Sequence, residues 1–403
     1  MNAHPSTPRR GLFGRPLLTI TIVLAALLGM GLGGVALANR GDSDKTRWES
    51  VAPPASEPAA DAPAGSSPAD PPTESTADGG SSAITMSATG DIIMGSAPNK
   101  LPANDGKGFF KSVEEGLKSD LVMGNLEQPL TGDTGTSKCG SPARANCFAF
   151  RSPTSYAKHL KDAGFQLLNT ANNHSKDFGG QGYQNTVKAL EGAGLAHTGA
   201  EDQITVVPVK GIKVAVVGFS SYAGANKLND LDQARSVVEK ATTEADLVVV
   251  QVHMGAEGSD KTRVKPGNEL FFGENRGDPI RFSKAVIDAG ADVVVGHGPH
   301  VLRGMQFYKG KLIAYSLGNF AGGGKTLSSN GVLKYGGILH VSLTKDGSWA
   351  GGKLLSTYMN AAGVPTRDSS NERGRKMVAE FSAKDFGDDA ARIGDDGSIS
   401  PPA

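Results

Sequence analysis

Two stretches decide the reading of this chain: DLVVVQVHMGAE at residues 246–257 and DVVVGHGPH at residues 292–300. Each opens with a short β-branched run that shows no polar alternation, the pattern of a strand buried on both faces in a parallel sheet. Each run then hands its next residues, His253 in one case and His297 and His300 in the other, to the C-terminal edge of the sheet. Ligands of open α/β sheets bind at that edge. Histidine is scarce, with 8 copies in 403 residues, so three at two strand ends is a concentration that points to chemistry. Two further segments have the same design: ITMSATG (84–90) followed by Asp91, and FQLLNTA (165–171) followed by Asn172, Asn173 and His174. Four strand ends therefore offer oxygen or imidazole donors to one rim.

Around these strands the chain alternates strand-like and helix-like segments from Ala83 onward, which implies a layered α/β domain. Further strands are expected at DLVMGNL, KVAVVGFS and KLIAYSLGN, and helices at Pro153–Ala163, Tyr183–Ala193, Leu231–Ala245 and Pro279–Ala289. Glycines 164, 194 and 290 stop three of those helices, as expected where a chain must leave a helix through a left-handed residue. Towards the C-terminus, MQFYKGKLIAYS and GGILHVSLTKDGSWAGGKLLSTYM read as antiparallel hairpins turning at Lys309-Gly310 and Asp346-Gly347, so the sheet is mixed. A short helix is expected over Ser370–Phe381, then an acidic, glycine-rich tail at 386–403 that is loosely held. The folded domain is placed at 83–385.

The segment before it has a different character. Residues 1–15 are basic, with Arg9, Arg10 and Arg15, and the run 16–39 carries no charge. That run is long enough to cross a bilayer as one helix, with the basic flank kept in the cytoplasm and the rest exported. A cleavable signal peptide is the rival reading, since Ala36-Leu37-Ala38 has the small-x-small pattern of a cleavage site. Both place the bulk of the chain outside the cytoplasm. Residues 40–82 are rich in Pro, Ala, Ser and Asp and almost free of large apolar side chains, so they cannot bury enough surface to offset ordering entropy and read as a disordered tether.

Composition narrows the function. Acidic and basic residues balance at 41 each, so bulk charge calls for no nucleic acid. The only two cysteines, Cys139 and Cys147, flank a short Gly/Pro/Ala segment, and in an oxidising compartment that spacing reads as a disulfide pinning a loop. With no CxxC pair, a thiolate zinc site is excluded. No serine elbow, Walker loop or dinucleotide fingerprint occurs in proper context, which disfavours a serine hydrolase or nucleotide-binding fold.

Asp91, Glu127, Asn173, His253, His297 and His300 together form a donor set suited to Mn, Zn or Fe, because carboxylate, amide oxygen and neutral imidazole match divalent cations of that hardness. In GNLEQP, Pro129 ends the strand and leaves Asn125 and Glu127, two apart, facing the same way. His174, beside an amide at the same rim, has the position of a general acid for a leaving group. Asn125, Asn172, Glu257 (in HMGAE) and Asn319 (in AYSLGNF) are candidate substrate contacts, although for Asn319 a turn closing its strand explains the sequence equally well. His159, His197 and His340 lie outside the set.

The ordered motifs TGDIIMG, GNLEQPL, NTANNHSKDFG, VHMGAE, GHGPHVLRG and YSLGNF resemble the poly-γ-glutamate capsule biosynthesis family of the CapA type, from about Ile84 to Met359. That family resembles a branch of the calcineurin-like metallophosphatases, and the resemblance implies a four-layer α/β/β/α sandwich with one or two metal ions at the strand ends. By this likeness Asp91 falls on the first-strand aspartate, Asn173 on the metal-binding asparagine and His174 on the catalytic histidine. His253, His297 and His300 fall on later ligands. Two departures stand out: Ile93 takes the place of a histidine in Asp-x-His, and Asn125 stands where a bridging aspartate is usual, with Glu127 as its substitute. The last histidines are spaced His-x-x-His rather than His-x-His. The resemblance and the donor set together lead us to expect a membrane-tethered, metal-dependent hydrolase acting on a phosphoester or γ-glutamyl amide of an anionic cell-envelope polymer. The alternative is a non-catalytic, polyanion-binding accessory of a polyglutamate synthesis and export complex.

Overall fold

The apolar runs become the centres of two mixed sheets in a computed structural model that describes residues 83–403. The first sheet has the order Pro365–Arg367, Trp349–Met359, Tyr335–Leu343, Ile84–Ile93, Leu121–Leu126, Leu167–Asn169, Ala196–Thr198, with Asn319–Gly322 paired to the end of Ile84–Ile93. The second has the order Met305–Tyr308, Lys311–Ala314, Val293–His297, Leu247–His253, Ile212–Ser220, Thr205–Val209. Strands Ile84–Ile93, Leu121–Leu126 and Leu167–Asn169 run parallel, as do Ile212–Ser220, Leu247–His253 and Val293–His297. Each sheet therefore presents one C-terminal edge.

Side chains of both sheets interdigitate in one core, with Met86, Leu121 and Leu167 on one side and Val216, Val249 and Val295 on the other. On the outer face of the first sheet, Leu160 and Leu190 from helices Ala157–Asp162 and Gly179–Gly192 pack with Phe165 and Leu168. On the outer face of the second, Val238 and Val286 from helices Leu231–Glu244 and Pro279–Asp288 pack with Val250 and Val294. These are the four α/β/β/α layers. The two sheets stack so that both rows of strand ends open on the same side.

Local chemistry fixes the helices. The Asp278 carboxylate accepts from the Arg281 N–H at 3.0 Å, Pro279 occupies the first helical position where no N–H is needed, and the helix stops at Gly290 with φ 110°. Asp230 caps Leu231–Glu244 in the same manner, accepting from Gln233 N–H at 3.1 Å. The expected helix at 153–163 is split into a 3-10 turn over Thr154–Tyr156 and an α-helix over Ala157–Asp162. The one expected to start at Tyr183 starts at Gly179, since glycines offer no capping signal. Lys309 and Gly310 both take positive φ, 51° and 76°, which gives the hairpin a turn matched to strand twist.

Two expectations at the C-terminus are corrected. The helix expected over Ser370–Phe381 runs Arg373–Phe386, and the tail is not loosely held. Arg392–Ile393 pairs with Ile399–Ser400, Leu354 N–H donates to Gly397 O at 2.8 Å, and Ala391 and Ile399 enter the inter-sheet core. The acidic side chains of the tail point outward while its few apolar ones insert, so composition understated its anchorage; the domain extends through 400. The expected membrane segment at 16–39, the basic segment 1–15 and the tether 40–82 lie outside the described residues. Among the described residues no helix is long and apolar enough to cross a membrane.

Candidate metal centre

Strand register gathers the donors. Asp91, Asn125 and Asn169 stand side by side on three neighbouring strands of the first sheet, and Ser220, His253 and His297 do so on the second. Stacking the sheets sets one row over the other. The Asp91 carboxylate lies 3.7 Å from His297 Nδ1 and 3.3 Å from His300 Nδ1, and Glu127 Oε1 lies 3.9 Å from His253 Nδ1 and 3.7 Å from His300 Nε2. Ligand atoms of Asp91, Glu127 and His300 fall within 4.8 Å of one another. Asn173 joins through Glu257, whose Oε1 accepts from Asn173 Nδ2 at 3.3 Å and whose Oε2 is 3.6 Å from His300 Nε2. Asp91, Glu127, His253, His297 and His300 thus lie together at one buried place, and Asn173 adjoins them through Glu257.

The backbone around the histidines is built for close approach. Gly298 has φ 107°, and a Cβ there would sit 3.0 Å from His253 Nε2, so only glycine fits between the two strand ends. His300 itself has φ 59°, an uncommon conformation for a residue with a side chain, which the surrounding contacts must hold. One such contact is Asn319, whose Oδ1 is 2.8 Å from His300 Nδ1 and whose Nδ2 donates to Leu333 O.

The pocket's hydrogen-bonding capacity is incomplete from protein alone. Among the described residues, both oxygens of Glu127, both ring nitrogens of His253, Nδ1 of His297 and Oδ1 of Asn173 are buried without a hydrogen-bond partner. Buried polar groups without partners are costly, so their concentration in one place calls for a missing partner. Carboxylate, amide oxygen and imidazole are ligand types that fit a divalent cation, and the chemistry of the set meets that requirement. His297 supports the fit: Gln251 Oε1 lies 3.2 Å from its Nε2, which fixes Nε2–H as the donor and turns the Nδ1 lone pair inward.

Electrostatics point the same way. Burial pushes the Glu127 carboxyl well above the usual carboxylate range, with Asp91 and Glu257 adding to the shift against the attraction of His300. For Asp91 burial works upward too, but the hydrogen bond and charge of His300, with His297 and His253, outweigh it and hold the group at about 2. Burial lowers the His253 imidazole well below its ordinary value, helped by the Arg276 charge, and lowers His297 to about 4 despite Asp91. His300 moves well above the imidazole range: burial opposes the shift, and Glu127, Asp91 and Glu257 overcome it.

His174 occupies the neighbouring wall. Its Nδ1 is 2.8 Å from Asp177 Oδ2, while Lys138 Nζ contacts Asp177 Oδ1 at 2.6 Å and Asn173 O at 3.1 Å. The carboxylate thereby accepts from Nδ1–H and orients Nε2, and the Phe150 ring packs 4.7 Å away. Burial lowers the His174 imidazole below its ordinary value, and Asp177 opposes that shift. Lys138 adjoins Cys139, which is bonded to Cys147 as expected, so the disulfide closes the loop beside this wall.

Three expected substrate contacts are corrected. Asn125, Asn172 and Asn319 are buried, and their amides are spent on the protein. Asn125 Nδ2 donates to Asp91 Oδ1 at 2.8 Å, and its Oδ1 accepts from Asn169 and Asn172. Asn172 also donates to Leu126 O and accepts from His174 N–H. They are the frame that holds Asp91, His174 and His300, whereas Glu257, partly exposed, faces the pocket. Ile93 is fully buried and supplies no donor. His159, His197 and His340 bond elsewhere, to Asp105 O, Glu191 and Gly116 O.

Residues that sequence reading gave no role are Asp177, Lys138, Gln251 and Arg276. Asp177 had a usable signal, three residues after His174 in NNHSKD; the others are brought in by cross-strand or loop contacts. The loop carrying Glu257 and Arg276 is tied down by Arg303, which is 1% exposed and forks onto Glu269 at 2.9 and 2.8 Å while donating to Lys261 O at 2.7 Å. Arg303→Met leaves Glu269 without its charged partner, with only the Ala256 N–H still donating to it, and is expected to cost up to about 3–5 kcal/mol in urea unfolding. A loss below about 1 kcal/mol would mean the loop is held by other contacts.

Fold and pocket together define a class: a four-layer α/β protein with a buried carboxylate–imidazole pocket competent for a cation at its strand ends. Within it the chain belongs to the bacterial capsule synthesis protein PGA_cap family, whose model matches residues 85–323 and so takes in every candidate ligand. It is 35% identical over 259 residues to the capsule biosynthesis protein CapA of Bacillus anthracis, covering 59% of each chain. It is 33% identical over 256 residues to the PGA biosynthesis protein CapA of Bacillus subtilis strain 168, covering 59% of this chain and 63% of that one. The match thus spans about three fifths of these relatives' length. Among solved structures it is similar to the 5'-nucleotidase precursor of Thermus thermophilus, at 14% identity and TM-score 0.38, covering 75% of this chain and 59% of that one.

Proposed function

We propose that the chain is a metal-dependent hydrolase of capsule or cell-envelope polymer synthesis, acting outside the cytoplasm on a phosphoester or γ-glutamyl amide of an anionic polymer and tethered through the apolar run at 16–39. One observation carries the catalytic part: unpartnered buried donors of Glu127, His253, His297 and Asn173 converge beside a His174–Asp177 pair. Asp91, Glu127, Asn173, His253, His297 and His300 would hold one or two divalent ions of Mn, Zn or Fe. A cation so held supplies Lewis acidity that activates water and polarises a phosphoryl or carbonyl oxygen. His174, held by Asp177 in its Nδ1–H form, takes up at Nε2 the proton released by the attacking water and passes it to the leaving oxygen or nitrogen, which returns the ring to its neutral state. Burial of the pocket restricts bulk water and strengthens each of these contacts.

Family membership supports the polymer-synthesis setting, with polyglutamate synthase or export subunits as partners. The test is metal analysis of the purified chain, with hydrolysis of a phosphodiester and of poly-γ-glutamate measured with and without chelator. Stoichiometric cation and chelator-sensitive cleavage of either substrate are expected. Cation-free protein that binds the polymer without cleaving it would replace this reading with the non-catalytic accessory.

A further inference from the structure

The hairpin Leu270–Phe271 and Glu274–Asn275 is followed by an arginine with an unusual setting. Arg276 is 2% exposed, and its guanidinium is held along one edge and over its faces. Nε donates to Glu274 Oε2 at 3.0 Å and Nη2 to Glu257 Oε1 at 2.9 Å, while the rings of Tyr222 and Phe271 lie 5.2 and 5.3 Å from Cζ. The main chain is pinned as well, with Arg276 N–H donating to Glu269 O and its carbonyl accepting from Gly255 N–H. Bracing of the hairpin explains Nε and Nη2. It does not explain Nη1, which is buried and has no partner among the described residues.

Two neighbours bring this side chain beside the pocket. Tyr222, under the guanidinium, has its ring 6.5 Å from the His253 ring, and Glu257, held by Nη2, faces His300 Nε2 at 3.6 Å. The two carboxylates that balance the charge are each shared, Glu274 with the Tyr222 hydroxyl and Glu257 with Asn173 and His300. An always-charged, planar, pre-oriented donor is suited to an oxyanion and poorly suited to a neutral group.

We propose that Arg276 binds, through Nη1, an anionic oxygen of the substrate next to the bond to be cleaved. This rests on the hydrolase reading above and narrows it: the substrate carries a carboxylate or phosphoryl oxyanion adjoining the scissile group, and an analogue neutral at that position is rejected. The oxyanion is the α-carboxylate of a γ-glutamyl unit or a non-bridging phosphate oxygen. Discrimination arises because a carboxamide oxygen still accepts from Nη1 but without a negative charge, so the stronger charge-assisted bond is lost.

The experiment is calorimetric titration of the Mn-loaded full chain in detergent with inorganic phosphate, with γ-glutamylglutamate, and with that dipeptide's carboxamide analogue. Wild type is expected to bind at least one anionic probe, which identifies the oxyanion, and to bind the carboxamide at least tenfold more weakly. Arg276→Met is expected to weaken the anionic probe tenfold or more with cation stoichiometry unchanged, and Arg276→Lys to fall between. Equal affinity of wild type and Arg276→Met, or equal affinity for anion and carboxamide, overturns the proposal. If the methionine variant does not fold, the lysine variant decides, and unchanged affinity overturns it. Wild type that loads cation but binds neither anion defeats the arginine proposal alone. Wild type that loads no cation defeats the hydrolase reading, and the arginine is then judged on the cation-free chain by the same titrations.

Discussion

Glu127→Gln is expected to abolish cation-dependent stabilisation while leaving the cation-free protein as stable as wild type or more so. Glutamine keeps the shape of the side chain but removes an anionic ligand. In the cation-free chain the Glu127 carboxyl is fully buried, neither oxygen has a hydrogen-bond partner among the described residues, and burial with two neighbouring carboxylates disfavours its charge. Its replacement by a neutral isostere therefore removes an unfavourable group, and the unfolding free energy without cation should stay within about 1 kcal/mol of wild type or rise. With cation the sign reverses. A ligand at a free concentration about a hundredfold above its Kd stabilises the native state by about 2.7 kcal/mol, and the variant should lose this increment together with hydrolysis. Thermal unfolding of both proteins, with chelator and with Mn, reads the two signs in one experiment. If Glu127 were a structural brace, the chelated variant would be markedly less stable, and its response to Mn would match wild type. That outcome would sink the metal centre.

How much of this pocket was legible beforehand depended on what kind of contact placed each residue. Asp91, His253, His297 and His300 could be read because they lie at or close to the ends of strands buried on both faces, and such strands announce themselves as apolar runs whose ends must meet at one rim. Register supplied the rest without further information, since His253 and His297 pair across neighbouring strands. The asparagines misled for a physical reason. An amide at a strand end is equally suited to touching a ligand and to crosslinking loops, and only the partners of Asn125, Asn172 and Asn319 distinguish the two. Arg276 and Lys138 lie in irregular segments with no periodicity to place them, one brought in by a two-stranded hairpin and the other beside a disulfide. The C-terminal tail failed in the opposite direction. Its acidic composition hid the few apolar residues, Ala391 and Ile399, that enter the core.

If the chain is the hydrolase proposed, His174→Ala is expected to separate proton delivery from cation binding, with the largest effect of any residue that is not a ligand. The ring adjoins Asn173 but is turned to Asp177, so its loss should leave cation stoichiometry intact. Removing a general acid typically costs about 10²–10⁴-fold in rate, and the loss depends on how much help the leaving group needs. A nitrophenyl phosphodiester departs without protonation and should be hydrolysed by the variant at close to the wild-type rate. An alkyl phosphodiester or a γ-glutamyl amide should show the full loss in kcat with little change in KM, because the interaction is made as the bond breaks. Asp177→Asn should show a smaller loss, since the amide still fills the space but holds the ring with the wrong hydrogen-bonding pattern. Uniform loss across leaving groups, accompanied by loss of metal, would place His174 among the structural supports of Asn173 and leave the hydrolase without an acid.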